Sequence, residues 1–127
     1  MASILRVNTL TDASSNNSIA MSFVAQGSAK VWADVTGVST AAINDSLNTS
    51  GLTDNGTGDY TIAYTSNLAT GNYSTVAEVN FTTGGDAQNT RVVSIAADSV
   101  RTLGTNTGNA NAADCRRLFQ VSHGDLA

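Results

Sequence analysis

The sequence predicts an all-β fold: a single antiparallel β-sandwich, jelly-roll or immunoglobulin-like, preceded by an N-terminal arm strand. Apolar and polar residues alternate over several short runs, as they do in half-buried strands. The chain contains no Pro, so its turns must be made by Gly, Asn, Asp or Ser, which are plentiful between the runs. Roughly eight runs at this spacing fit a sandwich or a small barrel. No segment requires a helix.

The first element is an arm. We divide the chain into residues 1–12, an arm that takes part in assembly, and residues 13–127, the sandwich. The arm contains Ile4, Leu5, Val7 and Leu10. Such residues are too apolar for a free tail, so we expect them to pair with a neighbouring subunit or with another protein of the same assembly.

The predicted strands follow in order along the chain. Ile4–Leu10 is a first strand or arm, and the later runs predicted as strands are Ile19–Val24, Ala29–Val35, Ala41–Leu47, Tyr60–Tyr64, Tyr73–Phe81, Arg91–Ala97, Val100–Leu103 and Cys115–Ser122. Between the fourth and fifth runs, Asp54–Asp59 is predicted to be a turn in which Gly56 and Gly58 take positive φ angles. It resembles a calcium loop, but glycines occupy positions that would need oxygen ligands.

Several strands are apolar on both faces, for example where Val31 adjoins Trp32. Trp32 shares its face with Lys30 and Asp34 rather than with the main core. In the Arg91–Ala97 run, Val93 and Ile95 are predicted to point inward. A lone sandwich normally leaves one face of each sheet in water, so the two-sided pattern predicts a homo-oligomer in which Trp32 packs at a subunit interface or stacks on a sugar ring.

The residues carry little sign of catalysis. Charged residues make up only 13% of the chain and the net charge is -4, which gives no reason to expect nucleic acid or an anionic membrane as a partner. Cys115 is the single cysteine and cannot form an intrachain disulfide. His123 lacks a supported nucleophile, and no apolar run is long enough to insert into a membrane. We therefore expect a non-enzymatic protein without a cofactor or a metal.

Three stretches together resemble small virion proteins of marine tailed bacteriophages, which are commonly labelled tail-fibre proteins. They are Ile4–Leu10, the block Ala29–Trp32 followed by Asp45–Tyr60, and the ending His123–Ala127. The second stretch is the most specific. The resemblance implies a particle component on the tail or head surface that is assembled in the host cytoplasm. It also implies a homotrimer, since phage fibres are usually trimers.

The resemblance leaves two non-enzymatic functions open. In the first, a receptor-binding module contacts host glycan or protein through Gly- and Asn-rich loops, whose candidate residues are Gly84, Gly85, Asp86, Asn106, Asn109 and Asn111. In the second, a capsid decoration protein uses Trp32 and the arm to lock subunits together or onto other virion proteins. An enzyme such as a depolymerase fragment is a third reading, which no constellation of residues supports.

Overall fold

The computed structural model describes residues 3–80, 88–106 and 111–127. Within these ranges the chain forms strands and one short helix. Their bounds are β1 (Thr9–Thr11), β2 (Ser18–Ala20), α1 (Met21–Gly27), β3 (Ala29–Thr36), β4 (Ala42–Leu47), β5 (Thr49–Gly56), β6 (Asp59–Tyr64), β7 (Ser74–Asn80), β8 (Gln88–Ala96), β9 (Ser99–Asn106) and β10 (Arg117–His123).

Eight of these strands form two four-stranded sheets that pack face to face. We call the sheet with the order β4-β3-β10-β7 the front sheet, and the sheet with the order β5-β6-β9-β8 the back sheet. Every pair of neighbouring strands is antiparallel. The predicted all-β sandwich is confirmed. The division at residues 12 and 13 stays a prediction, although both large sheets use residues only from Ala29 onward.

The core lies between the sheets because alternate residues of each strand point inward. In β3 the buried residues are Val31, Ala33 and Val35, and in β6 they are Tyr60, Ile62 and Tyr64. Leu68, Val79, Val100, Cys115 and Leu118 complete the buried apolar cluster. The alternation predicted for β3 and β6 is therefore confirmed, and Trp32 points to the outer face, as expected.

A hydrogen-bonded polar cluster fills one part of this interior. The Ser122 hydroxyl donates to Thr75 Oγ1 at 2.9 Å, and the Thr75 hydroxyl donates to the Val121 carbonyl at 3.1 Å. The Gln120 amide donates to Thr75 Oγ1 at 3.0 Å and also to Ser122. Because burying a polar group is costly unless it is hydrogen-bonded, these contacts are what allow Gln120 and Ser122 to lie in the core.

Two tyrosines extend the polar cluster toward the back sheet. Tyr64 and Tyr73 join their hydroxyls at 2.7 Å, and the Tyr73 hydroxyl donates to the Ser99 carbonyl at 3.1 Å. Since Tyr73 uses its proton on the carbonyl, Tyr64 is the donor between the two rings. Two buried polar atoms, the Thr102 hydroxyl and the Oε1 oxygen of Gln120, have no hydrogen-bond partner among the described residues.

The predicted turn Asp54–Asp59 is shorter in the structure, since β5 continues to Gly56 and β6 begins at Asp59; the prediction for its glycines is confirmed. Gly56 has φ 129° and Gly58 has φ 69°. A side chain at Gly58 would also collide with the backbone, because its Cβ would lie 2.5 Å from the Ala113 carbonyl oxygen. Asp114 accepts a hydrogen bond from the Gly58 N–H at 2.8 Å, which ties the turn to the chain just before β10.

One sequence prediction about the N-terminal region is wrong. The Ile19–Val24 alternation continues only to Ala20, after which α1 begins at Met21. A period of two fixes a strand only where a neighbouring sheet buries one face, and α1 contains no buried residue; Met, Ala and Gln then favour a helix. In the predicted strand or arm Ile4–Leu10, β1 starts at Thr9, and the expected pairing of the preceding residues with another subunit stays a prediction.

The inward orientation predicted for Val93 is wrong, because Val93 is 40% exposed and Val92 is the residue that packs against the core. Ile95 pairs with the core residue Val100, so it lies on the inner face of β8 as predicted, although it is 40% exposed at the sheet edge. The pairing of β8 with β9 shifts between Val92 and Ser94. Such a bulge inserts an extra residue and exchanges the faces of the residues that follow, which an alternating pattern alone does not reveal.

Candidate assembly surfaces

The N-terminal region, residues 3–28, stands apart from both large sheets. It extends beyond the predicted arm of residues 1–12, and from here on we call the whole of residues 3–28 the arm. It consists of an extended segment, the β1–β2 ribbon and α1. The ribbon turn is satisfied locally, since Asp12 accepts hydrogen bonds from the Asn16 N–H and the Asn17 amide. Its large apolar side chains face solvent: Ile4, Leu5 and Phe23 are 75%, 79% and 71% exposed. Of the other predicted arm residues, Val7 and Leu10 are also exposed.

The arm leaves the sandwich at one end, which we call the arm end. There Ala29, the first residue of β3, pairs with His123 of β10. His123 Nδ1 lies 2.9 Å from the Gly27 carbonyl oxygen, so the neutral ring with a proton on Nδ1 would donate to it. The imidazole therefore has a structural contact at the base of the arm.

The opposite end, which we call the loop end, contains the described candidate loop residues. The Gly37 N–H donates to the Cys115 carbonyl there, and the Gly104 N–H donates to the Gly58 carbonyl. Asn106 and Asn111 follow at the tip, joined by a backbone hydrogen bond of 2.9 Å. The candidate residues Gly84, Gly85, Asp86 and Asn109 lie outside the described residues. The strand residues that flank the first three, Asn80 and Gln88, pair with Arg117 and Asn106 at this same end.

An apolar row crosses the outer face of the front sheet, one residue from each strand. Leu47 pairs with Trp32, Trp32 pairs with Val121, and Val121 pairs with Val76. Trp32 and Val121 are half-buried by their neighbours, while Leu47 and Val76 are exposed. Phe119 lies beside the row and is also exposed. The structure therefore brings Trp32 into a continuous apolar surface, but it does not bring Trp32 together with the arm residues of the same chain.

Each sheet carries a bidentate Arg–Asp ion pair on its outer face. On the front sheet Arg117 pairs with Asp34. On the back sheet Arg101 of β9 pairs with Asp59 of β6, with Nε–Oδ1 at 2.8 Å and Nη2–Oδ2 at 2.5 Å. The hydrogen bonds from Arg101 hold the pKa of Asp59 below its usual value. The front sheet adds the apolar row, and clustered exposed apolar residues mark interaction sites.

The groups that catalysis or metal binding would use are mostly held in structural roles. Burial raises the pKa of the Cys115 thiol to about 11, so at neutral pH it is protonated and a poor nucleophile. Burial likewise raises the pKa of Tyr60, whose hydroxyl contacts Gly37 O and Asp114 Oδ1. In the described ranges no group of three His, Cys, Asp or Glu side chains is arranged to hold a metal ion.

Within the same ranges, no helix has the length and apolar character required to cross a membrane. Comparisons of this chain with protein-family models, with curated proteins and with solved structures found no match.

Proposed function

We propose that this chain is a non-enzymatic structural component of a bacteriophage virion, and that it acts as a tail-fibre-like, receptor-binding module. The observation that carries the proposal is the polarity of the sandwich, which has the arm at one end and Asn106 and Asn111 at the other. A module that joins a particle to a host cell needs an attachment region and a contact region. An eight-residue strand such as β3 separates these regions by about 25 Å.

The chemistry of each end supports its part in this function. The arm presents large apolar side chains, which gain free energy when a partner covers them. The loop end presents asparagines, whose amides both donate and accept hydrogen bonds and so match the hydroxyls of a glycan. The resemblance of Ile4–Leu10 and Asp45–Tyr60 to phage virion proteins supplies the particle context, and a homotrimer remains the expected form of the protein.

Competition for adsorption tests the receptor-binding proposal. Purified protein added to host cells should reduce phage adsorption, and the Asn111→Ala variant should compete less well because an exposed amide is removed at the loop end. Asn72→Ala is the matched control, since the Asn72 side chain is also exposed but Asn72 precedes β7 at the arm end. Equal competition by all three proteins, or none by any, would contradict a receptor contact at Asn111.

The alternative, a capsid decoration protein, is favoured by a separate observation. The exposed arm and the apolar row are both surfaces for joining proteins, and a decoration protein needs no receptor contact. In that case antibody-gold labelling of intact virions would mark the whole head. A variant lacking residues 2–10 would leave particles more sensitive to heat, while adsorption by virions would be unchanged.

A further inference from the structure

The edges of the two sheets are not equally protected against pairing with another strand. Edge strands are commonly protected against further pairing by bulges. Three of the four edge strands of the two described sheets, β4, β5 and β8, have a register shift in the pairing with the neighbouring strand. The shifts occur between Asp34 and Val35 in the β3–β4 pair, at two places along β5, and between Val92 and Ser94 in the β8–β9 pair. The fourth edge, β7, pairs with β10 over seven residues without a shift.

The surface around β7 also lacks a partner on its outer side. Val76 is 64% exposed, and Glu78 forms no ion pair with any described residue. These two residues, with Phe119 and Val121, line a shallow cleft of about 210 Å³. Beyond its pairing with β10, β7 makes no backbone hydrogen bond to another described residue, although β8 of the back sheet lies close to it. Among the described residues, the β7 edge therefore offers backbone donors and acceptors that no strand pairs, beside an apolar cleft and the Glu78 carboxylate.

The arm has the sequence of a strand that is covered on both faces, although residues 3–8 form no strand in the isolated chain. In an extended segment Leu5 and Val7 point to one side, and Ile4 and Arg6 point to the other. If Arg6 lies opposite Glu78, Ile4 joins the outer face with the apolar row. Leu5 and Val7 then face inward, on the side of β7 that carries Val79.

We propose that β7 is the acceptor edge for residues Ile4–Val7 of a second copy of this chain, with Arg6 paired to Glu78. Main-chain hydrogen bonds would supply affinity, and the alternating side chains would fix the register, because a slip by one residue exchanges the two faces. The other long edge on this side of the sandwich, β8, carries Arg91, which would repel Arg6. The inference deepens the proposed function by naming the partner of the arm.

Disulfide trapping between two differently labelled full-length chains tests this pairing. One chain carries Arg6→Cys and the other carries Glu78→Cys; native Cys115 is buried and remains in both. Cross-strand neighbours are close enough for a disulfide, so oxidation should give mainly the mixed dimer, identified by mass. The control chain Asp45→Cys, on the edge strand β4 of the same face, should give little mixed dimer with Arg6→Cys.

Charge exchange provides a second test that does not depend on cysteine chemistry. Arg6→Glu and Glu78→Arg should each raise the dissociation constant of self-association by about threefold per contact. The double variant should restore the affinity of the wild type. Light scattering of the wild type should show a multiple of the 13.0 kDa monomer. A monomer at all concentrations, or mainly Glu78→Cys homodimers after oxidation, overturns the proposal. Both tests use purified protein and so measure self-association alone. A negative result would overturn the strand pairing but would leave open whether the chain is part of a virion, which adsorption and labelling of virions test separately.

Discussion

Replacement of Gly37 by alanine should be among the most damaging single changes in the sandwich. Gly37 follows β3 at the loop end, and its N–H donates to the Cys115 carbonyl at 2.9 Å. A Cβ at this position would lie 2.0 Å from the Tyr60 hydroxyl oxygen and 2.5 Å from Tyr60 Cζ. Tyr60 is 1% exposed, so its ring has no solvent-filled space into which it can move.

The expected loss follows from two contributions. Moving the Tyr60 ring to contact distance forces strain into a packed core, which costs about 1–3 kcal/mol. The same movement breaks the hydrogen bonds of the Tyr60 hydroxyl to Gly37 O and Asp114 Oδ1, which costs about 1–3 kcal/mol more for a buried group. We therefore expect Gly37→Ala to lower the free energy of unfolding by about 3 kcal/mol, a large part of the total stability of a typical domain.

Denaturant unfolding followed by the fluorescence of Trp32 measures this loss, with the free energy taken by linear extrapolation. Gly51→Ala is the control, because Gly51 lies in β5 and its Cβ would meet no atom within 4 Å. Its effect should stay within about 0.5 kcal/mol. A Gly37→Ala protein as stable as the Gly51→Ala protein would refute the reasoning.

A double variant identifies Tyr60 as the cause. Tyr60→Phe alone should cost about 1–2 kcal/mol through its lost hydrogen bonds. In the Gly37→Ala background the same change removes the atom in closest conflict, so the double variant should be less destabilised than the sum of the single variants. Coupling of less than about 0.5 kcal/mol would mean that the clash with the hydroxyl is not what destabilises Gly37→Ala.

Three further predictions concern groups in the sandwich. Thr102→Val should raise the free energy of unfolding by about 1 kcal/mol, because it removes a buried hydroxyl without a partner; lower stability in the same unfolding assay would contradict this. Arg101 holds the pKa of Asp59 below its usual value of 3.8, so the ion pair stabilises the fold above that pH and loses its effect as pH falls through the folded-state pKa. Asp59→Asn should therefore lose less stability than the wild type between pH 5 and about pH 2, and identical slopes of stability against pH would disprove it. Cys115, with its pKa raised by burial to about 11, should react with a thiol reagent at about pH 8 only when the protein unfolds; rapid labelling of the native protein would show that it is accessible.

The parts of the fold that depend on local pattern could be predicted from the sequence. Alternation in β3 and β6 identified their buried faces, since a strand directs every second residue to the core. The two glycines of Asp54–Asp59 identified a turn, because only glycine takes such φ angles readily. The same pattern placed Trp32 on the outer face. These predictions needed no knowledge of which strands become neighbours.

What the sequence did not reveal depends on contacts between distant residues. The bulge after Val92 arises from pairing with β9 and leaves Val92, rather than Val93, packed against the core. The apolar row likewise exists only because β4, β3, β10 and β7 lie side by side. The hydrogen bond between Asp114 and the turn at Gly58 spans 56 positions. An acidic residue next to Cys115 gave no sequence signal for that role.

The polar cluster between β7 and β10 has a consequence for how reliably this chain folds. Sliding β10 along β7 by two residues would keep every apolar side chain on its proper face, so hydrophobic burial alone leaves such misaligned states nearly degenerate. In the native alignment Ser122 is opposite Thr75 and Gln120 is opposite Ala77. A two-residue shift would move Ser122 opposite Ala77 or Gln120 opposite Thr75, and would separate the paired hydroxyls. The Ser122–Thr75 hydrogen bond thus favours the native alignment of β10 with β7 over a slip of two residues. The same residues of β7 then lie at the sheet edge in every copy.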